Sequence, residues 1–507
     1  MLNKFTNFFS QGKKKYLAAC ILGCLATLAF PPIFLTPILF ISFPILLILI
    51  QKSENTKQAF FIGWWFGFGH FVSGLYWISI SLLVRPEKFA WLIPFAVSAI
   101  PAVIAIYPAI ATAILKFITQ KFRIKNSAQI LIFALLWLFT EFLRSTLLTG
   151  FPWNLLGYVW TVSDITMQTA SIFGVEGLGV FAIIIFSAPF AIKDKKFIAI
   201  TALLAIFIIG FGYIRLQNSS DEVVEGVKLR LVQANIPQSL KNSPKDKFRN
   251  FIKHISMSKA AGIDEITHVI WSESSLPFYL HEDNPAPEII TNAIPRDGFL
   301  ITGAGRFENK KPYNSLVAID KNAEVVAHYD KTHLVPFGEY VPFRNTIPFI
   351  DAIAGDYGDF TVGKNFKPMS VKNVPLFAPQ ICYEGIFPKL AQKKDAKWIL
   401  NVTNDGWFGK SLGPYQHFNM IRMRAVEQGI PAVRVANTGI TAVVDPYGIV
   451  KSSIPLGISG ILDVYLPKDI KEYTIYSNYK CYTLLSLVLS IFISFYFLNK
   501  ERKCQNI

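Results

Sequence analysis

Cysteine is scarce in this chain of 507 residues, with five in all and one, Cys382, across residues 217–480. A lone cysteine cannot close a disulfide within that stretch, so Cys382 serves there as a thiol or as a small buried apolar side chain. Cys20, Cys24, Cys481 and Cys504 lie in or beside apolar runs or in the C-terminal tail. Histidine is scarce as well, and the seven present show no metal-ligand spacing. One cysteine does not supply a cysteine-histidine zinc site, so neither a metal nor a cofactor is expected. Internal repeats, coiled-coil heptads and low-complexity linkers are missing too.

Charge is missing from long stretches. Residues 17–50, 58–84, 89–115, 128–148, 167–192, 197–214 and 481–498 are almost without it. With 52% hydrophobic residues and a mean hydropathy of +0.38, the chain is too apolar for an ordinary soluble protein. A bilayer core takes about 20 apolar residues per helix. The run 17–50 is long enough for two crossings, with Pro31, Pro32 and Pro37 marking the turn. The expectation is seven spans, a soluble domain and an eighth span. The first run leads into another apolar run and not into a cleavage site, so it reads as a retained span.

Positive charge orients these spans. Lys13–Lys15, Lys52 and Lys57, then Lys116, Lys121, Arg123 and Lys125, then Lys193, Lys195 and Lys196, and finally Lys500, Arg502 and Lys503 fall on one side if eight helices alternate. The opposite short loops hold only Arg85, Lys88, Arg144 and Arg215. The positive-inside rule then places both termini in the cytoplasm and residues 217–480 outside. The net charge of +16 follows this topology: residues 217–480 carry 30 Lys and Arg against 27 Asp and Glu, the rest 20 against 7. No basic stripe points to nucleic acid.

After Leu216 short β-branched runs alternate with polar helical stretches. Residues 228–236, 268–271, 299–302, 314–319, 325–329, 379–382 and 398–403 read as strands. Residues 246–261 and 415–428 read as amphipathic helices. The alternation predicts a layered α/β domain. The long loops 281–297 and 341–366 have the length of lids or binding loops.

Three polar residues end or closely follow predicted strands: Glu273 after Trp271-Ser272, Lys331 after Asp330, and Cys382. Ligands of α/β domains gather at carboxyl ends of strands, so these three form one plausible constellation. A free thiol is only a few per cent ionised at pH 7 and needs a base or a cation beside it. A carboxylate can take the thiol proton and return it, and a lysine favours the thiolate and can hold an oxyanion. Taken singly, Glu273 also reads as a loop carboxylate bonded to amides, and Lys331 as a surface lysine. His333 and His417 invite a Cys-His pair, but no Asn or Asp orienter accompanies them. Gly303-Ala304-Gly305 is too short for a nucleotide fingerprint.

The segments Trp271–Pro277 (WSESSLP), Tyr329–Tyr340 (YDKTHLVPFGEY) and Ile381–Glu384 (ICYE) resemble the Glu, Lys and Cys segments of the nitrilase superfamily. Joined to seven preceding spans and one following span, the whole chain resembles the apolipoprotein N-acyltransferase family. Val232–Gln238, Asn404–Gly409, Gly413–His417 and Thr149–Asn154 carry the same resemblance. It implies a polytopic helical membrane bundle of about eight spans bearing an extracytoplasmic nitrilase-like αββα sandwich. The divisions would be a membrane domain at 1–216, a catalytic domain at 217–480 and a last span with tail at 481–507.

The resemblance also implies a two-step acyl transfer in a bacterial inner membrane, on its periplasmic side, by a monomer. Cys382 would take an acyl chain from a phospholipid, typically phosphatidylethanolamine, as a thioester. The amine of a diacylglyceryl-cysteine at the N-terminus of an apolipoprotein would then receive it. Glu273 would be the proton acceptor and Lys331 the oxyanion partner, with Glu339, Tyr383 and Glu384 in support. Family members often carry a tryptophan soon after the Asn-Ile-Pro-Gln segment; Lys241-Asn242-Ser243 stands there in this chain, so no substrate contact is carried over to it.

Two other functions compete. A membrane-anchored amidase acting on a small extracytoplasmic nitrogen compound would use the same three residues, but one span would anchor it. A transporter or receptor would need intramembrane charges, and only Glu141, Arg144, Asp164, Glu176 and His70 are candidates. The segments 63–70 and 151–160, rich in aromatics and glycine, read either as a lipid-binding surface or as an aromatic belt. Glu141 and Arg144, one turn apart, read as a structural pair or as a partner for a lipid phosphate.

Overall fold

The computed structural model describes residues 12–504 except 242, 244, 282–285, 343, 345–358, 365, 366 and 392–394, with the backbone alone for 499–504. Most of loop 341–366 therefore lies outside the described residues. The chain divides into two compact units: Met1–Ser219 with Ser411–Asn419 and Tyr473–Ile507, and Ser220–Lys410 with Met420–Glu472.

The first unit is helical. Among the described residues five stretches are long and apolar enough to cross a membrane by length and composition: Thr56–Val84, Pro86–Lys121, Asn126–Thr149, Lys195–Leu216 and Ile475–Leu498. The remaining expected segments are also helical but shorter, at Lys14–Thr27, Thr36–Lys52 and Ala170–Phe186. A count of eight crossings is thus not reached on helix length. Lys14–Thr27 and Thr56–Leu75 approach closely at glycines. A Cβ on Gly23 would lie 2.0 Å from the Phe66 carbonyl oxygen, and one on Gly69 2.1 Å from that of Cys20. Small residues that let backbones touch are how helices associate where no hydrophobic effect drives them together. The glycines of segment 63–70 therefore serve helix packing. Arg144 Nη1 donates to the carbonyls of Phe151 (2.7 Å) and Trp153 (2.6 Å), while Glu141 Oε1 accepts from Leu156 N at 2.8 Å. Both charges are spent on pinning the loop after their own helix.

Among its described residues the second unit has twelve strands: β1 (Val223–Gln233), β2 (His268–Trp271), β3 (Tyr279–His281), β4 (Phe299–Glu308), β5 (Lys311–Ile319), β6 (Val325–Asp330), β7 (Phe377–Ile381), β8 (Trp398–Thr403), β9 (Ala432–Ala436), β10 (Thr441–Val444), β11 (Val450–Ile454) and β12 (Gly460–Pro467). One sheet runs β12-β1-β2-β4-β5-β6, with β3 also paired to β4; the other runs β11-β10-β9-β8-β7. Strand alternation explains how they stack. Leu229 and Leu231 of β1, Ile270, Ile301 and Leu316 meet Ile381, Leu400, Val402, Val433 and Val443 of the second sheet in one buried core. The opposite face of the first sheet (Val232, Val269, Trp271, Leu300, Val317) packs on Phe251 and Ile255 of helix Lys247–Ser258.

Arg230 closes that helix. Its guanidinium donates to the carbonyls of Ser258, Ala260 and Ala261 and pairs with Asp463 at 2.6 Å, supplying a cation where helix carbonyls end unpaired. Beyond the second sheet, Met420, Ile421, Met423, Ala425 and Val426 of helix Gly413–Gln428 are buried. Ile421 sits so close to Gly385 that a Cβ there would lie 2.4 Å from its Cδ1. The architecture is helix, sheet, sheet, helix.

Candidate active site

The sheets deliver the candidate residues at strand ends. Glu273 follows β2, where the backbone turns at Ser274 with φ of 49°. The neighbouring β4 passes so near that a Cβ on Gly303 would stand 2.5 Å from Glu273 Cα, so only glycine fits. Lys331 follows β6, its amide bonded to the Asn314 carbonyl at 2.8 Å. Cys382 follows β7 with φ of 50°, a left-handed backbone that a cysteine adopts at a cost of about 1–2 kcal/mol. The strand therefore ends at Ile381, and Cys382 opens a short 3₁₀ turn, Cys382–Ile386.

Glu273, Lys331 and Cys382 come together. Lys331 Nζ lies 3.6 Å from Glu273 Oε1 and 2.9 Å from Glu339 Oε1. Asn314 of β5 donates its Nδ2 to Glu273 Oε1 at 3.0 Å and to Glu339 Oε1 at 2.7 Å. Glu339 is held in turn by Val335 N, 2.8 Å from Oε2. The Cys382 thiol bonds to Thr403 and lies close enough to Glu273, Lys331 and Asp405 to feel their charges. Asp405 is neutralised by Arg434 at 2.5 Å, both fully buried.

Glu384 does other work. Wholly buried, its Oε1 accepts from Tyr329 Oη, Thr332 N and Thr332 Oγ1, each at 2.8 Å, and from His333 N at 3.2 Å, while Oε2 accepts from Ile381 N at 2.8 Å. It fastens the turn after β6, which carries Lys331, to the turn carrying Cys382. Tyr383 packs its ring on Phe387 and His333, with centroids 5.1 and 5.7 Å apart.

Electrostatics follow from burial. Burial pushes the Cys382 thiol up to about 12; Glu273 adds to that rise and Lys331 opposes it. Burial works against the Lys331 ammonium, but Glu339, then Glu273 and Cys382, outweigh it and hold the amine above its ordinary value. Burial also raises the Tyr383 phenol. The resting site is therefore a protonated thiol beside a carboxylate and a firmly charged ammonium. It is equipped to take a proton from sulfur and to meet an oxyanion with positive charge.

Asn314 is a site residue that the sequence does not mark out. It lies inside a strand, and its only signal is an amide among apolar neighbours of a buried strand. Lys241 is a further addition: its Nζ donates to the Glu273 carbonyl at 2.7 Å. His333 packs its ring at a tilt on Phe387, with centroids 4.0 Å apart. His417 packs likewise on Trp153, at 5.6 Å. Among the described residues the one cluster with metal-ligand proximity is Glu308, His328 and Asp330, where Arg306 pairs with both carboxylates at 2.6 and 2.8 Å.

A two-sheet sandwich flanked by helices, with a carboxylate, an ammonium and a thiol gathered at the ends of three strands, defines a carbon-nitrogen hydrolase domain. The Carbon-nitrogen hydrolase family matches residues 228–474, and the Apolipoprotein N-acyltransferase N-terminal domain matches residues 22–189. An apolipoprotein N-acyltransferase of Rhodopseudomonas palustris is 39% identical over 498 residues, covering 92% of each chain. One from Rickettsia prowazekii is 36% identical over 504 residues, covering 96% of this chain and 99% of its own. Among solved structures, Saccharomyces cerevisiae Nit3 of the nitrilase superfamily aligns at 18% identity with a TM-score of 0.38, over 52% of this chain and 97% of its own. The chain belongs to the apolipoprotein N-acyltransferase family.

Proposed function

We propose that this protein moves a fatty acyl chain from a phospholipid to the N-terminal amine of a diacylglyceryl-cysteine on an apolipoprotein. The observation that carries the proposal is the full-length likeness to apolipoprotein N-acyltransferases, joined to one cluster of Glu273, Lys331 and Cys382. In the first step Cys382 Sγ attacks the ester carbonyl while Glu273 accepts the thiol proton. Lys331 faces the oxyanion that forms. Collapse expels the lysophospholipid oxygen, which takes the proton from Glu273 and leaves a thioester on Cys382. In the second step the acceptor amine attacks that thioester, Glu273 takes the amine proton, and collapse releases sulfur, which regains a proton from Glu273. No external acid, base or cofactor enters the balance.

Glu339 and Asn314 hold Lys331 and Glu273 in register, and Glu384 and Tyr383 shape the turn around the nucleophile. Phosphatidylethanolamine is the proposed donor, and the enzyme is proposed to work as a monomer. Residues 1–216 and 481–507 are proposed to anchor it in the bacterial inner membrane, with residues 217–480 periplasmic and both termini cytoplasmic. The lysines clustered on alternate loops support this orientation. The likeness over residues 22–189 disfavours an amidase, which needs no such membrane portion. The test is intact-mass analysis after incubation with phospholipid and no acceptor. A gain of one fatty acyl group is expected, and it should vanish in Cys382→Ala. Absence of any adduct on the wild-type protein would remove the proposal.

A further inference from the structure

The two acyl-transfer steps leave one nearby ammonium, that of Lys241, without a part. Lys241 ends the short helix Gln238–Lys241. The chain leading into that helix is tied by buried amides. Asn437 accepts from Asn235 N through its carbonyl (2.9 Å) and from Ile236 N through Oδ1 (3.0 Å), and donates from Nδ2 to the Ile236 carbonyl (2.8 Å). Asn404 Nδ2 donates to Gln238 Oε1 at 2.7 Å, and Asn437 Nδ2 also reaches Asn404 Oδ1 at 3.1 Å. A satisfied buried network of this kind is rigid. What it presents is the Lys241 amine, 2.7 Å from the backbone carbonyl of Glu273.

Among the described residues that carbonyl is the one hydrogen-bond partner of the Lys241 amine, while the backbone N–H bonds to the Pro237 carbonyl at 3.1 Å. The contrast is with Lys331, which has Glu339 at 2.9 Å and Glu273 at 3.6 Å. An ammonium carries three donors, and here one of them is engaged by a neutral carbonyl. The Glu273 carboxylate, and the Cys382 sulfur once it ionises, are near enough to bear on it. A lysine placed only to brace a loop gains nothing from that position, since burial costs an ammonium more than a neutral side chain.

We propose that Lys241 is a positioning residue for acyl transfer: it grips the main chain of Glu273 and sets a second positive charge beside the Glu273 and Cys382 pair, fixing the base and easing the negative charge that sulfur gains in the attack. This rests on the reading of Cys382 as nucleophile and Glu273 as base. Burial brings the Lys241 amine down to about 8. The other groups bearing on it are the Glu273 carboxyl, the Cys382 thiol, held near 12, and His254 of the adjacent helix, near 4. Loss of the Lys241 charge should therefore appear as a fall in rate above about pH 8.

The experiment is single-turnover acylation of the full-length protein in detergent by phosphatidylethanolamine without acceptor, followed by mass from pH 6.5 to 10. Lys241→Met should slow acylation at pH 7 by about 10²-fold, the scale of a misplaced catalytic group. Lys241→Arg, always charged, should recover most of the rate and lose the alkaline fall. Lys241→Met acylating at the wild-type rate, or Lys241→Arg keeping the alkaline fall, overturns the inference; the arginine variant decides the matter if the methionine variant does not fold. Glu273→Gln and Cys382→Ala run alongside. If those two acylate normally, the underlying assignment of the site fails; if they are dead while both Lys241 variants match wild type, only the role of Lys241 falls.

Discussion

Glu273 and Glu339 share one amide nitrogen: Asn314 Nδ2 stands 3.0 Å from Oε1 of the first and 2.7 Å from Oε1 of the second. Two carboxylates this close to one another repel, and they are held by that amide and by the Lys331 ammonium. The site is thus a small ionic lattice whose members fix one another, and each can be removed separately.

Asn314→Leu keeps roughly the side-chain shape and takes away the shared donor. Two carboxylate oxygens lose a partner, at about 1–3 kcal/mol for a buried unsatisfied group. Acylation in a single turnover should fall by about 10²-fold. Asn314→Asp should be worse, since a third carboxylate then crowds the other two. Equal rates for the aspartate variant and wild type would show that the shared bond does not organise the site.

The Glu273 charge has two opposite effects that one variant separates. As a base it serves the transfer; as a neighbouring negative charge it helps hold the thiol near 12. Glu273→Gln should abolish acyl transfer by at least about 10²-fold. It should also make Cys382 ionise more easily, so its alkylation by iodoacetamide should reach half-maximal rate at a lower pH than in wild type. An alkylation profile that moves upward contradicts the charge argument. Cys382→Ser should be nearly inactive, because a hydroxyl gives up its proton far less readily than even this raised thiol.

Glu384 predicts a loss of stability. Its two oxygens take five donors, from Tyr329, Thr332 twice, His333 and Ile381. Glu384→Ala takes the shared acceptor from these donors, leaving Tyr329 Oη and Thr332 Oγ1 to each other at 3.1 Å, a change of about 3–5 kcal/mol by analogy with breaking a buried charged pair. A clear fall in Tm should follow. Glu384→Gln keeps the shape and one acceptor oxygen, and should lose less. Unchanged Tm in the alanine variant would mean that water replaces the carboxylate.

What could be read from sequence depended on local signals. Glu273, Lys331 and Cys382 were legible because each follows a short β-branched run, and strands β2 and β8 have the expected bounds. The left-handed backbone at Cys382 leaves no mark in composition, so the strand expected at 379–382 runs one residue past the observed end, and it starts two residues after the observed beginning at Phe377. Strands β9 to β12 are not legible along the chain, because Pro446, Gly448, Pro455, Gly457 and Gly460 break residues 432–467 into short pieces. Asn314 and Lys241 look ordinary along the chain. Their roles come from non-local pairings, Asn314 through the β4-β5-β6 register and Lys241 through the Asn404 and Asn437 amides. The apolar segments were legible from absent charge, but helix lengths were not, since Ala170–Phe186 is helical yet only 17 residues long.

Two buried histidines predict how the catalytic unit responds to acid. His254 packs on Trp271 with centroids 4.9 Å apart and places Nδ1 2.9 Å from the Asn250 carbonyl. His268 of β2 lies on Phe299, with Nε2 3.0 Å from the Lys372 carbonyl. Burial brings both down to about 4, from an ordinary 6.5. Between those values the unfolded chain binds protons that the folded chain does not, so stability rises with pH across this window. The contribution is complete above about pH 6.5 and is lost as pH falls toward 4, on the order of 3 kcal/mol per histidine at most. The Tm of the full-length protein should therefore drop over that range. Replacing both with Gln, which keeps a polar group but cannot charge, should flatten the drop even if it lowers Tm at pH 7. A double variant with the same slope as wild type would assign the acid sensitivity to other groups.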